Sequence, residues 1–451
     1  MSVAVLPFQN LAGDSALAYV GDGLAHEIAT SLGRLERLAI KSPSLVRGVL
    51  RVHGDDPRRV GRALNVRWVV EGSYQSGPGS LRVTARLVEL PEGRQRWSDA
   101  WTRETGDLVR IQEDIARSVA QAVAGRLLPR ERSRLAAPRS PGYDLALQAR
   151  FHYDRQTGEG LQRAGALYER ALRLDSTYAP AWAGLAQVWT ALRGDWVRPL
   201  PALHRADSAA RRALALDTGS ALARVALAEV LAFRDLEFTR ADAMLREAAA
   251  RDPTLVDAPV RRSRVLFLEG RADEGLAEAQ RAWEMDSLSF AVARAYGEAL
   301  YFTRRADELL SLAQRFRGAS PLWSAYGEGA AHFLRGDCAV ALAAFERAGL
   351  ALSPYVAVRR GEALRCLGRA AEVRPLFDSL RVAGGDYVPS DALAALHAVL
   401  GDTAQALDLL ERAFEERAPS ILLLSEVPAF DPLRALPRFQ ALARRARPVG
   451  R

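Results

Sequence analysis

Residues 164–189 read AGALYERALRLDSTYAPAWAGLAQVW. The first part sets a small residue, an aromatic four on and another small residue three beyond that, Ala164, Tyr168 and Ala171, which share one face of a helix. The second part carries large apolar residues, Trp182, Leu185, Ala186 and Trp189, at helical spacing too. Small residues let two such helices approach closely, while the bulkier one fills the gap between them. The trio recurs as Ala206/Ala210/Ala213, Ala241/Leu245/Ala248, Gly275/Ala279/Ala282, Leu309/Ala313/Phe316, Ala341/Phe345/Ala348, Val373/Phe377/Leu380 and Ala406/Leu410/Ala413. Successive anchors stand 42, 35, 34, 34, 32, 32 and 33 residues apart, the period of helix pairs stacked into a solenoid.

Gly194-Asp195, Gly270, Gly336-Asp337, Gly368 and Gly401-Asp402 mark turns between paired helices, and Asp252-Pro253 is the clearest stop after a second helix. The Trp182 unit together with Arg251-Asp252-Pro253 resembles the tetratricopeptide repeat, and the units near Tyr355 and Ser390 follow its pattern less closely. The longest interval is read as an insertion around Asp195 to Pro201 that bulges from the stack. Pro428, Pro432 and Pro437 around Phe430, followed by Phe439-Gln440-Ala441-Leu442, read as a cap over the last repeat.

Ahead of the repeats the pattern changes to a small α/β domain. Residues 3–8, Val-Ala-Val-Leu-Pro-Phe, read as a buried strand, and Asn10-Leu11-Ala12-Gly13-Asp14 as the turn after it. A helix is expected from Leu17 to Leu35, with Leu24, Ile28, Leu32 and Leu35 on one face. A strand at Leu38 to Ile40 and a short helix from Pro57 to Leu64 follow. Val66 to Gln75 and Leu81 to Leu90 form a hairpin around Gly77-Pro78-Gly79. Gln95 to Thr102, with Trp97 and Trp101 on one face, adds a strand, and Leu108 to Leu128 closes the unit as a helix. The ordered set Val3 to Asn10, Gly13-Asp14, Asp22-Gly23, Glu71-Gly72-Ser73, Trp97, Gln112 and Ile115-Ala116 resembles the TolB N-terminal-like domain. That resemblance implies a sensor or adaptor role, in bacterial chains whose other end is a nucleotide cyclase, a serine/threonine kinase or a winged-helix regulator. The expected organisation is 1–128 for this domain, 129–142 for a proline-bearing linker acting as a hinge, 143–418 for about eight repeats, and 419–451 for a cap and basic tail.

The chain has 451 residues, 49% of them hydrophobic, and a net charge of +8. Its cations are nearly all arginine, interspersed with acids at three- and four-residue spacing, so the charge reads as solvated helix faces and not as a nucleic-acid footprint. Arg444, Arg445, Arg447 and Arg451 form the one tight basic group. No run approaches the roughly 20 apolar residues that cross a bilayer, so a cytoplasmic location is expected, or a periplasmic or tethered one given an upstream anchor. Cys338 and Cys366 lack the partners of a zinc site and are read as buried free thiols under reducing conditions.

No catalytic, cofactor or metal constellation emerges. Asp14, Asp22, His26 and Glu27 lie close in sequence, but Asp22-Gly23 reads as turn and cap at the helix opening, with His26 and Glu27 pointing to different sides. Gly21 and Gly23 make no dinucleotide fingerprint, and the kinase and cyclase motifs are absent. In a stack of helix pairs the first helices line the concave surface. Helical projection sends Arg264 and Phe267, Arg294, Glu298 and Tyr301, Trp323, Tyr326 and Phe333, and Tyr355, Glu362 and Arg365 toward it. Rings and guanidinium groups together suit a peptide or an amphipathic helix. The expected function is therefore a non-catalytic adaptor that holds a protein partner. The alternative is the regulatory arm of a kinase or cyclase.

Overall fold

The computed structural model describes residues 1–446 apart from 15–16, 34, 36, 55, 78, 105–106, 126, 129–130, 132–134, 136–139, 288, 319, 351–352, 354, 385–386 and 425–426. Most of the expected linker, together with Arg447 and Arg451, lies outside the described residues.

Among the described residues six strands form one sheet: β1 (Ser2–Val5), β2 (Gln9–Asn10), β3 (Ala39–Ile40), β4 (Trp68–Gly77), β5 (Ser80–Glu89) and β6 (Arg94–Glu104). The order is β3-β1-β4-β5-β6, with β2 also beside β4. Strand β1 runs parallel to β3 and β4, whereas β4, β5 and β6 are antiparallel. Alternation along β1 and the residue after it explains why Val3 to Leu6 are all apolar. Val3 and Val5 face α1 (Ala18–Gly33) and α4 (Leu108–Ala124), while Ala4 and Leu6 face α2 (Pro43–His53) and α3 (Pro57–Ala63). The helix α2 escaped the sequence reading. Its signal was Ser42-Pro43, where Ser42 accepts the Leu45 N–H at 3.3 Å and proline occupies the first turn. Helix α1 begins at Ala18, so Asp22 and Gly23 lie inside it and not at its opening. Glycine at 21 is a packing requirement, since a Cβ there would stand 2.1 Å from the Phe8 carbonyl oxygen.

The described residues that follow from Tyr143 to Glu416 form a helical solenoid of eight pairs. The pairs are α5 (Tyr143–Tyr153) with α6 (Gly158–Leu174), α7 (Ala179–Leu192) with α8 (Pro199–Leu216), α9 (Ala221–Val230) with α10 (Phe238–Arg251), and α11 (Asp257–Leu268) with α12 (Ala272–Met285). They continue as α13 (Phe290–Phe302) with α14 (Ala306–Arg315), α15 (Pro321–Leu334) with α16 (Cys338–Ala348), α17 (Tyr355–Cys366) with α18 (Arg374–Gly384), and α19 (Ser390–Leu400) with α20 (Thr403–Glu416). The eight recurring trios fall on the second helices, except that Phe316 directly follows α14 and Val373 directly precedes α18, and nearly all their side chains are buried. The packing logic is visible at Gly184, where a Cβ would sit 2.2 Å from the Tyr168 ring. Aspartates 175, 217, 252 and 286 end α6, α8, α10 and α12, and each accepts a backbone N–H two or three residues on.

Three expectations are corrected. Residues 193–198 turn inward instead of bulging out. Arg193 stacks on the Phe233 ring at 3.8 Å and pairs with Glu229 at 3.7 Å, Gly194 abuts Pro419, and Trp196 covers Gly158. The two domains are docked and not hinged, as described below. Cys338 and Cys366 form a disulfide, their Cα atoms 6.2 Å apart. The stack sets the start of α16 beside the end of α17, and Cys366 is exposed there.

Candidate functional site

The solenoid's first helices touch one another in succession from α5 to α19, forming a continuous inner wall. The curvature is strong enough for the eighth repeat to meet the second and third: Arg417 donates to the Arg234 carbonyl at 3.0 Å, and Arg198 lies 3.6 Å from Glu416. The N-terminal domain closes one side. Leu147 of α5 packs on Gly23 of α1, where a Cβ would stand 3.3 Å away. Tyr19 donates to Asp144 at 2.6 Å, and Tyr143 donates to Gln112 at 2.9 Å, which itself donates to Ser31. From α2, Arg47 reaches Asp154 at 2.7 Å, and Ser42 just ahead of it reaches Asp286 at 3.3 Å.

Between these parts lies a cavity of about 920 Å³. Helices α1 and α2 contribute Asp22, His26 and Arg47, the end of α5 contributes Arg150 and Asp154, and α11 and α13 supply the opposite wall. Asp154 sits between Arg47 and Arg150, 2.7 and 3.1 Å away. Burial works to raise its carboxyl, but Arg150 and Arg47 prevail and hold it below the usual range. Burial pushes His26 down to about 3, with Arg150 adding to the effect, so its imidazole is neutral. Asp22 is raised by burial against the pull of Arg47.

The projected groove residues separate into two groups. Arg264, Phe267, Arg294 and Glu298 line the cavity. The others are engaged by the chain itself. Trp323 is only 3% exposed, edge-to-face with Phe290 and Phe316. Tyr301 is buried and accepts from Arg359 at 2.8 Å, as Tyr326 does at 3.3 Å. Tyr355 donates to the buried Asp391 at 2.9 Å. Phe333 is half-buried against the core. Arg365 donates to the Pro428 carbonyl at 3.3 Å, while Glu362 accepts the Ala429 N–H at 3.1 Å. Residues 428–433 therefore occupy the inner face of α17 and α19, burying Phe430 there. The cap does more than cover the last repeat.

Sequence reasoning missed the cavity's other walls, Arg47, Arg150, Arg155, Trp196 and Arg261. Of the four acidic and histidine candidates near the start, Asp22 and His26 come together on one face of α1, while Asp14 and Glu27 are not among the lining residues. Among the described residues no three His, Cys, Asp or Glu side chains gather as a cage for a metal ion, and no helix is long and apolar enough to cross a membrane.

No protein-family profile matches the chain. It is 27% identical over 190 residues to the putative adenylate cyclase 3 of Rhizobium meliloti (strain 1021), a match spanning 41% of this chain and 32% of that protein. Among solved structures it is similar to TTC0263, a thermophilic TPR protein of Thermus thermophilus, at 17% identity and a TM-score of 0.31, covering 49% of this chain and 98% of that one. A tetratricopeptide repeat protein from Parabacteroides merdae ATCC 43184 is 15% identical with a TM-score of 0.39, covering 58% and 97%.

Proposed function

We infer that the chain is a non-catalytic scaffold whose repeats hold a protein partner against the inner wall at α11 and α13. The observation that carries this reading is the open stretch of that wall, where Arg264, Phe267 and Arg294 line a cavity while the rest of the projected groove is taken up by residues 428–433 and by hydrogen bonds and ring contacts of the repeats themselves. Rings provide desolvated area and guanidinium groups bind carboxylates in two-point fashion, which suits an acidic amphipathic segment. The N-terminal domain, with its resemblance to the TolB N-terminal-like family, acts on this reading as a sensor-like unit docked on the same scaffold.

The test uses the full chain as bait, beside a Phe267→Ala/Arg294→Glu variant with unchanged thermal unfolding. A partner retained by the wild type should be retained at least tenfold less by the variant, the effect of losing one or two hot-spot contacts. Equal retention removes the wall from the proposal.

A second reading, favoured by the 190-residue similarity to a putative adenylate cyclase, makes the chain the regulatory arm of a cyclase or kinase. It predicts that the retained protein carries that activity, or that such a domain shares the reading frame. The disulfide bears on compartment, since such bonds persist in oxidising surroundings, and this favours the periplasmic or tethered alternative over the cytoplasm.

A further inference from the structure

Two properties of the cavity go beyond what partner binding on the inner wall requires. One side of it belongs to the N-terminal domain, through Asp22, His26 and Arg47, so an occupant would touch both domains at once. Its lining also holds an excess of guanidinium. Arg47, Arg150, Arg155, Arg261, Arg264 and Arg294 stand against Asp22, Asp154, Asp257 and Glu298, six cations to four carboxylates.

These arginines are not equally committed. Arg47 and Arg150 share Asp154, and Arg261 leans on Glu229 behind the wall at 3.5 Å. Arg264 has Glu298 at 3.9 Å and lies over the Phe233 ring at 5.1 Å, and its Nε, like those of Arg150 and Arg261, is buried without a hydrogen bond. Arg155 stacks over Phe151 at 4.8 Å. Arg294 makes no hydrogen bond or close ion pair among the described residues and is felt only electrostatically by the half-buried Asp195. Buried donors without acceptors are unfavourable, and a guanidinium fork is shaped for phosphate or carboxylate. Beside the uncommitted arginines stand the rings of Phe151, Trp196, Phe267 and Phe302. The volume falls within the few hundred to about 1,000 Å³ typical of clefts that enclose small organic ligands.

We propose that the chamber between the N-terminal domain and the inner helices binds a small organic anion in which an aromatic ring is joined to two or more negative charges. Arg155, Arg264 and Arg294 take the charges, and Trp196 and Phe267 flank the ring. Such a ligand bridges α1 and α2 to α11 and α13, and its binding requires no protein partner. The two functions are therefore separable: the scaffold is read by capture, this site by direct titration of the purified chain.

The experiment is calorimetric titration of the full chain with ADP and phosphotyrosine, which combine ring and charge, against adenosine, which lacks the charge, and inorganic pyrophosphate, which lacks the ring. At least one ring-bearing anion should bind with a Kd below about 1 mM, at least tenfold tighter than adenosine or pyrophosphate. It should also change an emission component that Trp196→Phe abolishes. The Arg264→Gln/Arg294→Gln variant should lose tenfold or more in affinity. Arg155→Gln, at an exposed position, repeats the test with a variant that leaves the core untouched. Absence of binding by both ring-bearing anions, equal binding of adenosine or pyrophosphate, or wild-type affinity in both arginine variants overturns the proposal.

Discussion

His26 stands one turn beyond Asp22 on α1, with Arg47 of α2 on one side and Arg150 and Asp154 of α5 on the other. Burial, and after it Arg150, pushes its imidazole down to about 3 from an ordinary value near 6.5, so the folded chain keeps it neutral where the unfolded chain protonates it. Stability tied to this residue is complete above about pH 6.5 and is lost progressively as the pH falls toward 3. Between pH 6.5 and 5 the loss amounts to at most about 2 kcal/mol, at 1.36 kcal/mol per unit. The neighbouring carboxyls do not produce the same slope: Asp154, held low, loses stabilisation only well below that window. Asp22, raised by burial, takes up its proton more readily when folded and so works in the opposite sense. We expect the wild-type Tm to drop between pH 7 and 5 and His26→Gln to flatten that drop. Parallel slopes would assign the acid sensitivity elsewhere.

At the level of elements, every turn between paired helices places one residue in the left-handed region: Gln156, Gly194, Leu236, Gly270, Arg304, Gly336, Gly368 and Gly401. Five are glycines, legible in the sequence as turn markers; the other three hide in residues that seldom adopt positive φ. A side chain there costs about 1–2 kcal/mol. Gly401 has open space around it, so Gly401→Ala should lower stability by about 1 kcal/mol through conformation alone, while Arg304→Gly should leave Tm unchanged or raise it. The Cys338–Cys366 bond joins α16 to α17 across 28 residues, and closing a loop of that size is worth about 3.5 kcal/mol in the chain-entropy account. Thiol titration should find no free cysteine, and the Cys338→Ser/Cys366→Ser variant should unfold about 3.5 kcal/mol more readily. Free thiols in the native chain would refute the bond. The sequence placed the repeats correctly because small-residue spacing is local. It missed the disulfide because the meeting of two helix ends depends on how successive pairs are rotated, which no spacing records. The same holds for the groove: projection put Arg264, Phe267 and Arg294 on the inner wall, yet could not foresee residues 428–433 seated over α17 and α19.

For the whole molecule, a proline-bearing stretch between domains suggested independent motion, whereas the interface shows a shared core. Leu147 is 4% exposed and presses on Gly23, with Tyr143, Gln112 and Ser31 forming a buried relay beside it. The contacts continue far from the junction in sequence, since Ser42 meets Asp286 and Gly33 lies against Thr254. The α/β domain thus covers the first repeat's end of the apolar stack, the role that capping units fill in solenoids, and simultaneously walls the cavity. Because both tasks use the same interface, disrupting it should affect cohesion before it affects either domain's own packing. Leu147→Asp buries a carboxylate with no partner, a change worth about 3 kcal/mol or more, and Gly23→Leu attacks the same contact from the other domain. Both variants should convert one calorimetric unfolding transition into two and enlarge the radius of gyration in solution scattering. A single transition at the wild-type radius in both would mean that the domains hold together by something other than this contact.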